Sequence, residues 1–277
     1  METETRYYRF GGLTVALNGP PFSEAPYFSL FRCEMSPAAV EFSVSVGHPS
    51  ALPEQVPVKR ALHEAEYRQN GHRLRVIFQE HSEKPLLTQI EEDMGRYQVC
   101  LEQSCLPLYD TNLVLKLLLD HGGLFLHASY IDVGGQAILF TAPKQTGKST
   151  QAALWQQHRG ADIINGDRAL LRRVNGVWTA YGSPYCGTSG ICKNRAVPVG
   201  AVVLLRQAEQ NEARPVSVRE AAAAFLSGCP YDPETQSGAV LDLALQIWQE
   251  VPLWTLACRP DESAVICLEN ALKGIYA

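Results

Sequence analysis

The chain lacks the features that mark a secreted or membrane-embedded protein. It holds eight cysteines in 277 residues, yet no two are spaced as CxxC and no paired zinc pattern occurs. No apolar run reaches the length of a membrane span. The opening METETRYYRF is polar and charged, unlike a secretory signal. Free thiols without such a signal lead us to expect a cytoplasmic protein. Most of the cysteines are expected to be small core residues, with Cys186 and Cys192, in a polar loop, as the candidate exceptions. Positive charge is not in excess either. A net charge of -5 gives no general pull toward nucleic acid or anionic membrane. There are no internal repeats and no low-complexity tracts. What remains is an ordinary globular mixture, 46% hydrophobic and 19% charged, with ample material for a buried core.

The texture changes about a third of the way along. Before residue 104 the pattern is that of strands. RYYRFGGLTVAL suits a hairpin about its Gly-Gly break. VEFSVSVG, HRLRVIFQE and RYQVCLEQ alternate apolar and polar residues, and proline-bearing connectors separate them. Residues 1–104 are therefore read as a β-rich N-terminal domain, and Glu91 and Glu92 within it are assigned no chemistry. From 105 to 277 strands and helices interleave, which argues for an α/β domain. TNLVLKLLLDHGG predicts an apolar helix carrying Leu113, Lys116, Leu117 and His121, capped by Asp110 or Thr111 and ended by Gly122 and Gly123. LFLHASYIDVGGQAILFTAP predicts two strands about a Gly-Gly turn, and ALLRRVNGVWTAYG a hairpin on Asn-Gly. Hairpins pair strands antiparallel, so the sheet is expected to be mixed. Trp155, Trp178, Trp248 and Trp254 read as core anchors.

The chemically informative stretch is APKQTGKST at 142–150. A phosphate loop needs converging backbone N–H groups, a lysine for the β/γ-phosphates and a hydroxyl for Mg²⁺. Gly147 permits the turn, Lys148 supplies the charge, and Ser149, with Thr150 beside it, supplies the hydroxyl. Ala142, Lys144, Gln145 and Thr146 complete the loop. Ala142 stands where such loops carry glycine, and the alanine costs something only if φ there is positive. Pro143 favours an extended residue before it. The apolar AILF before the loop and the amphipathic KSTQAALWQQHRG after it give the strand–loop–helix that the motif demands. The helix also adds the positive end of its dipole.

Phosphoryl transfer further needs a carboxylate for the metal at the end of a neighbouring strand, and Asp167 in IINGDRA is placed for it. His127 is the single ionisable group in the apolar FLHAS. The order HxSxxxxxG, GKST, GDR resembles the C-terminal kinase domain of HPr kinase/phosphorylase over about residues 124–207, and more distantly ATP-dependent phosphoenolpyruvate carboxykinase. The resemblance implies a mixed-sheet P-loop domain in which Lys148 binds phosphate, Ser149 and Asp167 hold Mg²⁺, and His127 faces the metal or the γ-phosphate. It also implies that the loop GTSGI (Gly187, Thr188, Ser189, Gly190) borders the acceptor. One departure is clear. The family carries two adjacent aspartates where this chain has Gly166 and Asp167, so the general base is open between Asp167, His127 and none at all. Asn165, an amide, could only orient an acceptor hydroxyl.

Lys193 and Arg195, close behind the GTSGI loop, and Arg206, at the end of AVVLL, are candidate contacts to phosphate or carboxylate groups. Arg168 reads as structural. The expected function is an Mg-ATP-dependent kinase acting on a hydroxyl acceptor, either a serine of a protein or peptide or a small metabolite. The alternative is a nucleotide-binding regulatory or peptide-handling module without catalysis. The cofactor expected is Mg²⁺ with ATP or another nucleoside triphosphate. No nucleic acid or membrane partner is expected, and a homo-oligomer is left open.

Overall fold

The computed structural model describes residues 3–20, 27–49, 52–61, 64–78, 84–93, 95–102, 118–229 and 237–273. The chain divides into two compact units, Met1–Leu113 and Val114–Ala277. The boundary expected near 104 and most of the helix expected around Leu113, Lys116 and Leu117 lie outside the described residues. Leu118–Asp120 is helical, and Gly122, with φ 70°, ends it.

The first unit contains β1 (Glu4–Phe10), β2 (Leu13–Gly19), β3 (Val40–Val46), β4 (Lys59–Ala61), β5 (Glu64–Gln69), β6 (His72–Phe78), β7 (Pro85–Asp93) and β8 (Arg96–Leu101). They form one sheet in the order β1-β2-β3-β8-β7-β6-β5-β4. The expected first hairpin is present, with Gly11 and Gly12 both at positive φ. β3 joins β2 and β8 in parallel, and the other neighbours are antiparallel. Tyr8, Phe10, Phe28 and Phe31 pack ring against ring at one end. The short β4, and β5 and β7, carry no clean alternation and were not foreseen.

The second unit contains β9 (Gly123–Val133), β10 (Gln136–Thr141), α1 (Lys148–Arg159), β11 (Asp162–Asn165), β12 (Arg168–Val174), β13 (Val177–Tyr181), β14 (Ala196–Gln207), β15 (Glu212–Pro215), α2 (Val218–Gly228), α3 (Ser237–Glu250), β16 (Leu253–Cys258) and α4 (Glu262–Ala271). It is a mixed α/β unit. β10 and β16 flank β14 in parallel, while β9, β12 and β13 run antiparallel to their neighbours. Two long strands make this possible. β9 pairs with β12 through Gly123–His127 and with β10 through Ala128–Val133. β14 pairs with β13 at its start, then with β10 and β16.

Helices cover both faces. Phe225 of α2 and Val240 and Ile247 of α3 bury against Leu124, Leu126 and Val202. Trp155 of α1 and Val265 and Leu268 of α4 bury against Ile138, Phe140 and Val203. Each such side chain contributes about 1.5–3 kcal/mol by leaving water. Trp155 and Trp178 are buried, and Trp248 and Trp254 pack partly buried against the two cores. The local signals act as expected. Gly160 caps α1 in the left-handed conformation, Ser217 and Glu220 form a capping box for α2, and Asp261 caps α4. Asn175 and Gly176, both at positive φ, turn β12 into β13. Among the described residues, no helix is long and apolar enough to cross a membrane.

Candidate functional site

The parallel strands β10, β14 and β16 all end on one side, and ligands of open α/β sheets bind outside such carboxyl ends. The 142–147 loop leaves β10 there. Thr141, the last residue of β10, lies opposite Ala128 of β9, and its Oγ1 donates to the carbonyl of His127 at 3.1 Å. On the other side of β9, Ala128 N–H donates to the carbonyl of Asp167 at 2.9 Å. Ser129 Oγ donates to the carbonyl of Gly166 at 3.1 Å. The loop, His127 and Asp167 therefore meet because three strands are in register. His127 is also the only residue from Gly123 to Asp132 that is not buried.

The loop has the backbone its sequence demands. Gly147 takes φ 111° as the residue before α1, and Gln145 sits in the left-handed region at φ 63°. A non-glycine there costs about 1–2 kcal/mol, the kind of strain found at ligand sites. Gln207 Nε2 donates to the carbonyl of Gln145 at 3.2 Å and helps to hold that turn. Ala142 is not among the residues at positive φ, so alanine is unstrained where glycine is usual. Lys148 is buried, and its Nζ donates to the carbonyls of Ala142 (2.9 Å) and Pro143 (3.3 Å). Burial holds its ammonium below the ordinary lysine pKa, opposed by the negative charge of Asp167 and reinforced by Lys144. Ser149 and Thr150 are exposed at the start of α1.

Asp167 accepts a hydrogen bond from His127 Nε2 at 3.1 Å, and Arg168 Nε stands 3.6 Å from its other oxygen. The hydrogen bond from His127 is the main reason its carboxyl lies below the usual aspartate range. Burial works against that shift, while Arg168 and Lys148 assist it. Asp167 is thus an ionised, half-buried carboxylate beside the loop lysine. Among the described residues no three His, Cys, Asp or Glu gather into a metal cage. The oxygen donors of Ser149 and Asp167 suit Mg²⁺, which is held by one or two protein groups and completed by phosphates and water.

Asn165 does not face an acceptor. It is fully buried, and its Oδ1 accepts from Asp167 N–H (2.9 Å) and Arg168 N–H (2.7 Å) while its Nδ2 donates to Ser183 O (2.8 Å). The amide clamps the turn that presents Asp167. Asn165→Ala would strand two N–H groups and a carbonyl at once. We expect it to lower unfolding stability by about 2–4 kcal/mol in urea titration. A loss under about 1 kcal/mol would show that the clamp is not needed.

Gly166 has an ordinary φ, so what it needs is space. A Cβ there would stand 2.6 Å from Ser189 Cβ and closer still to Ser189 Oγ. Ser189 Oγ donates to Cys186 O (2.6 Å) and accepts from Ile191 N–H (3.2 Å). The hydroxyl therefore fills the space of a side chain at 166. Gly187, at φ 54°, comes so near Asp167 that its Cβ would lie 2.8 Å from the carboxylate carbon.

No protein-family model matches the chain, and no curated protein matches it in sequence. Among solved structures a weak match is the Hpr(Ser) kinase/phosphatase from Coxiella burnetii, at 14% identity and TM-score 0.32, over 54% of this chain and 93% of that one. At that score the likeness is weak, and the chemistry of the site rests on its own residues.

The candidate acceptor residues separate into two groups. Gly187, Thr188, Ser189 and Gly190 form a short helical turn, exposed and beside Asp167. The cations lie elsewhere. Lys193 pairs with Asp162, and Arg195 pairs with Asp132 and Asp162, 3.0 Å from the latter. These aspartates sit at the far end of β9 and β11, and they engage the two charges meant for a ligand. Arg206 is exposed, and alternation along β14 puts it on the face of Val202 and Leu204, opposite the face that α1 covers. Cys186 and Cys192 are both buried, not exceptions to the core pattern. Burial, with Cys186 close by, pushes the Cys192 thiol up to about 12. Sequence reasoning missed Asn165 as the clamp, although an asparagine followed by Gly-Asp is an Asx-turn signal. It also missed Gln151, Gln207 and Arg259 around the loop, which only the strand order brings together.

Proposed function

We propose that the second unit is a P-loop phosphotransferase of the HPr kinase type, using Mg-ATP to phosphorylate a hydroxyl group. The acceptor is a serine of a protein or peptide, or a small metabolite. The observation that carries this reading is the buried Lys148 beside an ionised Asp167 hydrogen-bonded to His127, all at the carboxyl end of β10. Lys148 would exchange its two carbonyl partners for phosphate oxygens, and the N–H groups at the start of α1 would surround the same phosphates. Ser149 and Asp167 would hold Mg²⁺, which when bound neutralises charge on the β- and γ-phosphates. His127 fixes the carboxylate by its hydrogen bond. The acceptor hydroxyl would approach over Gly187, where the lack of a side chain leaves the carboxylate open. Such a transfer has a loose transition state and depends mainly on positioning and charge, so one carboxylate is chemically sufficient.

A non-catalytic nucleotide-binding module is the second reading, favoured by one observation: the space of a carboxylate at 166 is filled by Ser189. Turnover of Mg-ATP in the presence of cell extract separates the two. Asp167→Asn is expected to reduce turnover by about 100-fold or more while the protein still folds. Equal, near-zero turnover in both proteins would favour the binding module.

A further inference from the structure

One pair of nucleophiles lies beside the site without a part in phosphoryl transfer. Cys186 and Cys192 stand at the two ends of the turn that borders Asp167, and their thiols are hydrogen-bonded to each other. Both are buried, at 3% and 8% exposure, while the four residues 187–190 between them are exposed. Each end of the turn is tied. Cys192 is bridged to Asn165 at the end of β11, where Lys193 N–H donates to Ile164 O at 2.9 Å and Gly166 N–H to Ile191 O at 3.1 Å. Cys186 O accepts from Ser189 Oγ at 2.6 Å. The middle is soft. Gly187 and Gly190 are both left-handed, at φ 54° and 65°, and glycine leaves that region at little cost. Thiols in hydrogen-bond contact need only draw together to about 2.05 Å to form a disulfide, and the two glycines can absorb that shift.

The geometry points to Cys186 and Cys192 as an oxidisable pair that a peroxide closes into a disulfide, locking the turn at 187–190. In the first step one thiol gives up its proton and attacks a peroxide oxygen. This yields a sulfenic acid and a hydroxide, which takes the proton and leaves as water. In the second step the other thiol attacks the sulfenic sulfur and the S–S bond forms. Its proton and the departing hydroxyl make a second water. The two sulfurs together lose two electrons, and the peroxide gains two. Burial holds the Cys192 thiol up at about 12, so the closed turn resists oxidation and the reaction proceeds as the turn opens. Gly187 carries the consequence to the site. It lies so near Asp167 that a Cβ there would stand 2.8 Å from the carboxylate carbon, so a locked turn fixes the space over that carboxylate. Control of turnover rests on the phosphotransferase reading; the disulfide itself does not.

Treatment of the full chain with hydrogen peroxide, then alkylation of the remaining thiols and tryptic mass mapping, tests the pair. Both cysteines fall in one tryptic peptide, Val174–Lys193, which holds no other cysteine. That peptide is expected to lose two hydrogens and escape alkylation, and to regain both thiols in dithiothreitol. Amide exchange across 187–191 should slow several-fold in the oxidised protein. Mg-ATP turnover with cell extract should fall several-fold on oxidation and return in dithiothreitol. Cys186→Ser and Cys192→Ser should each abolish all three responses. A peptide still alkylated at both positions, or carrying sulfinic acid without the link, would overturn the pair. A link with unchanged exchange would overturn the lock, and a lock with unchanged turnover would overturn control of the site. If untreated wild type shows no turnover, the phosphotransferase reading and that control fall together, while the mapping still decides the pair.

Discussion

Lys148→Ala is expected to weaken Mg-ATP binding by about 100-fold or more. The ammonium is buried and already held below its ordinary pKa by that burial, opposed by the charge of Asp167, and its hydrogen bonds go to the neutral carbonyls of Ala142 and Pro143. Such a charge is poorly solvated by the protein and gains much from an anionic ligand. Truncation removes that gain and leaves phosphate oxygens without compensation in a partly enclosed site. Lys144, two residues before Thr146 in the same loop, is exposed, and Lys144→Ala should cost only a few-fold. Isothermal titration of both variants measures the contrast. Unfolding stability should hold in Lys148→Ala, because the variant removes a desolvated charge. No binding by wild type, or equal losses in the two variants, would remove the lysine from the centre of the site.

Gly166→Ala is expected to destabilise the fold by about 3 kcal/mol, and Gly166→Asp by more. The residue cannot move away from Ser189. Its N–H donates to Ile191 O at 3.1 Å and its carbonyl accepts from Ser129, so both sides of the peptide are tied. Ser189 is fixed in turn by Cys186 and Ile191. The clash is therefore specific to this pair. Adding Ser189→Gly to Gly166→Ala should recover most of the loss, in a double-mutant cycle read by urea midpoints. If Gly166→Ala is as stable as wild type, the packing of the Gly187–Ser189 turn against the end of β11 is not as described. The pair Gly166→Asp with Ser189→Gly also places a second carboxylate beside Asp167. A rise in turnover in that variant would mean that the natural chain operates without a general base.

The site was unevenly legible in the sequence. Gly147 and Lys148 could be placed together because the loop and the start of α1 are continuous in sequence, and neighbours in sequence stay neighbours in space. His127 stood out as the single ionisable group in FLHAS and Asp167 as a strand-end carboxylate, but their hydrogen bond to each other was not foreseen. Lys193 and Arg195 misled because charge in a glycine-rich loop says nothing about where the chain folds back, and it folds back onto Asp132 and Asp162. Cys186 and Cys192 misled for the same reason, since a polar loop can still be buried.

Local rules settled the secondary structure. Alternation, Gly-Gly and Asn-Gly turns, and Ser, Asp and Gly caps each act within a few residues, so the strands and helices from 123 onward, except the short β15, could be read along the chain. Only the tertiary structure decided the rest. The register of β9 against β10, β11 and β12 brings the loop, His127 and Asp167 to one point. The parallel pairing of β10, β14 and β16 gathers Gln151, Gln207 and Arg259 around one cleft. Whether residue 166 can carry a side chain depends on Ser189, a residue on a separate loop. Such contacts join distant parts of the chain, and no pattern along the sequence records them.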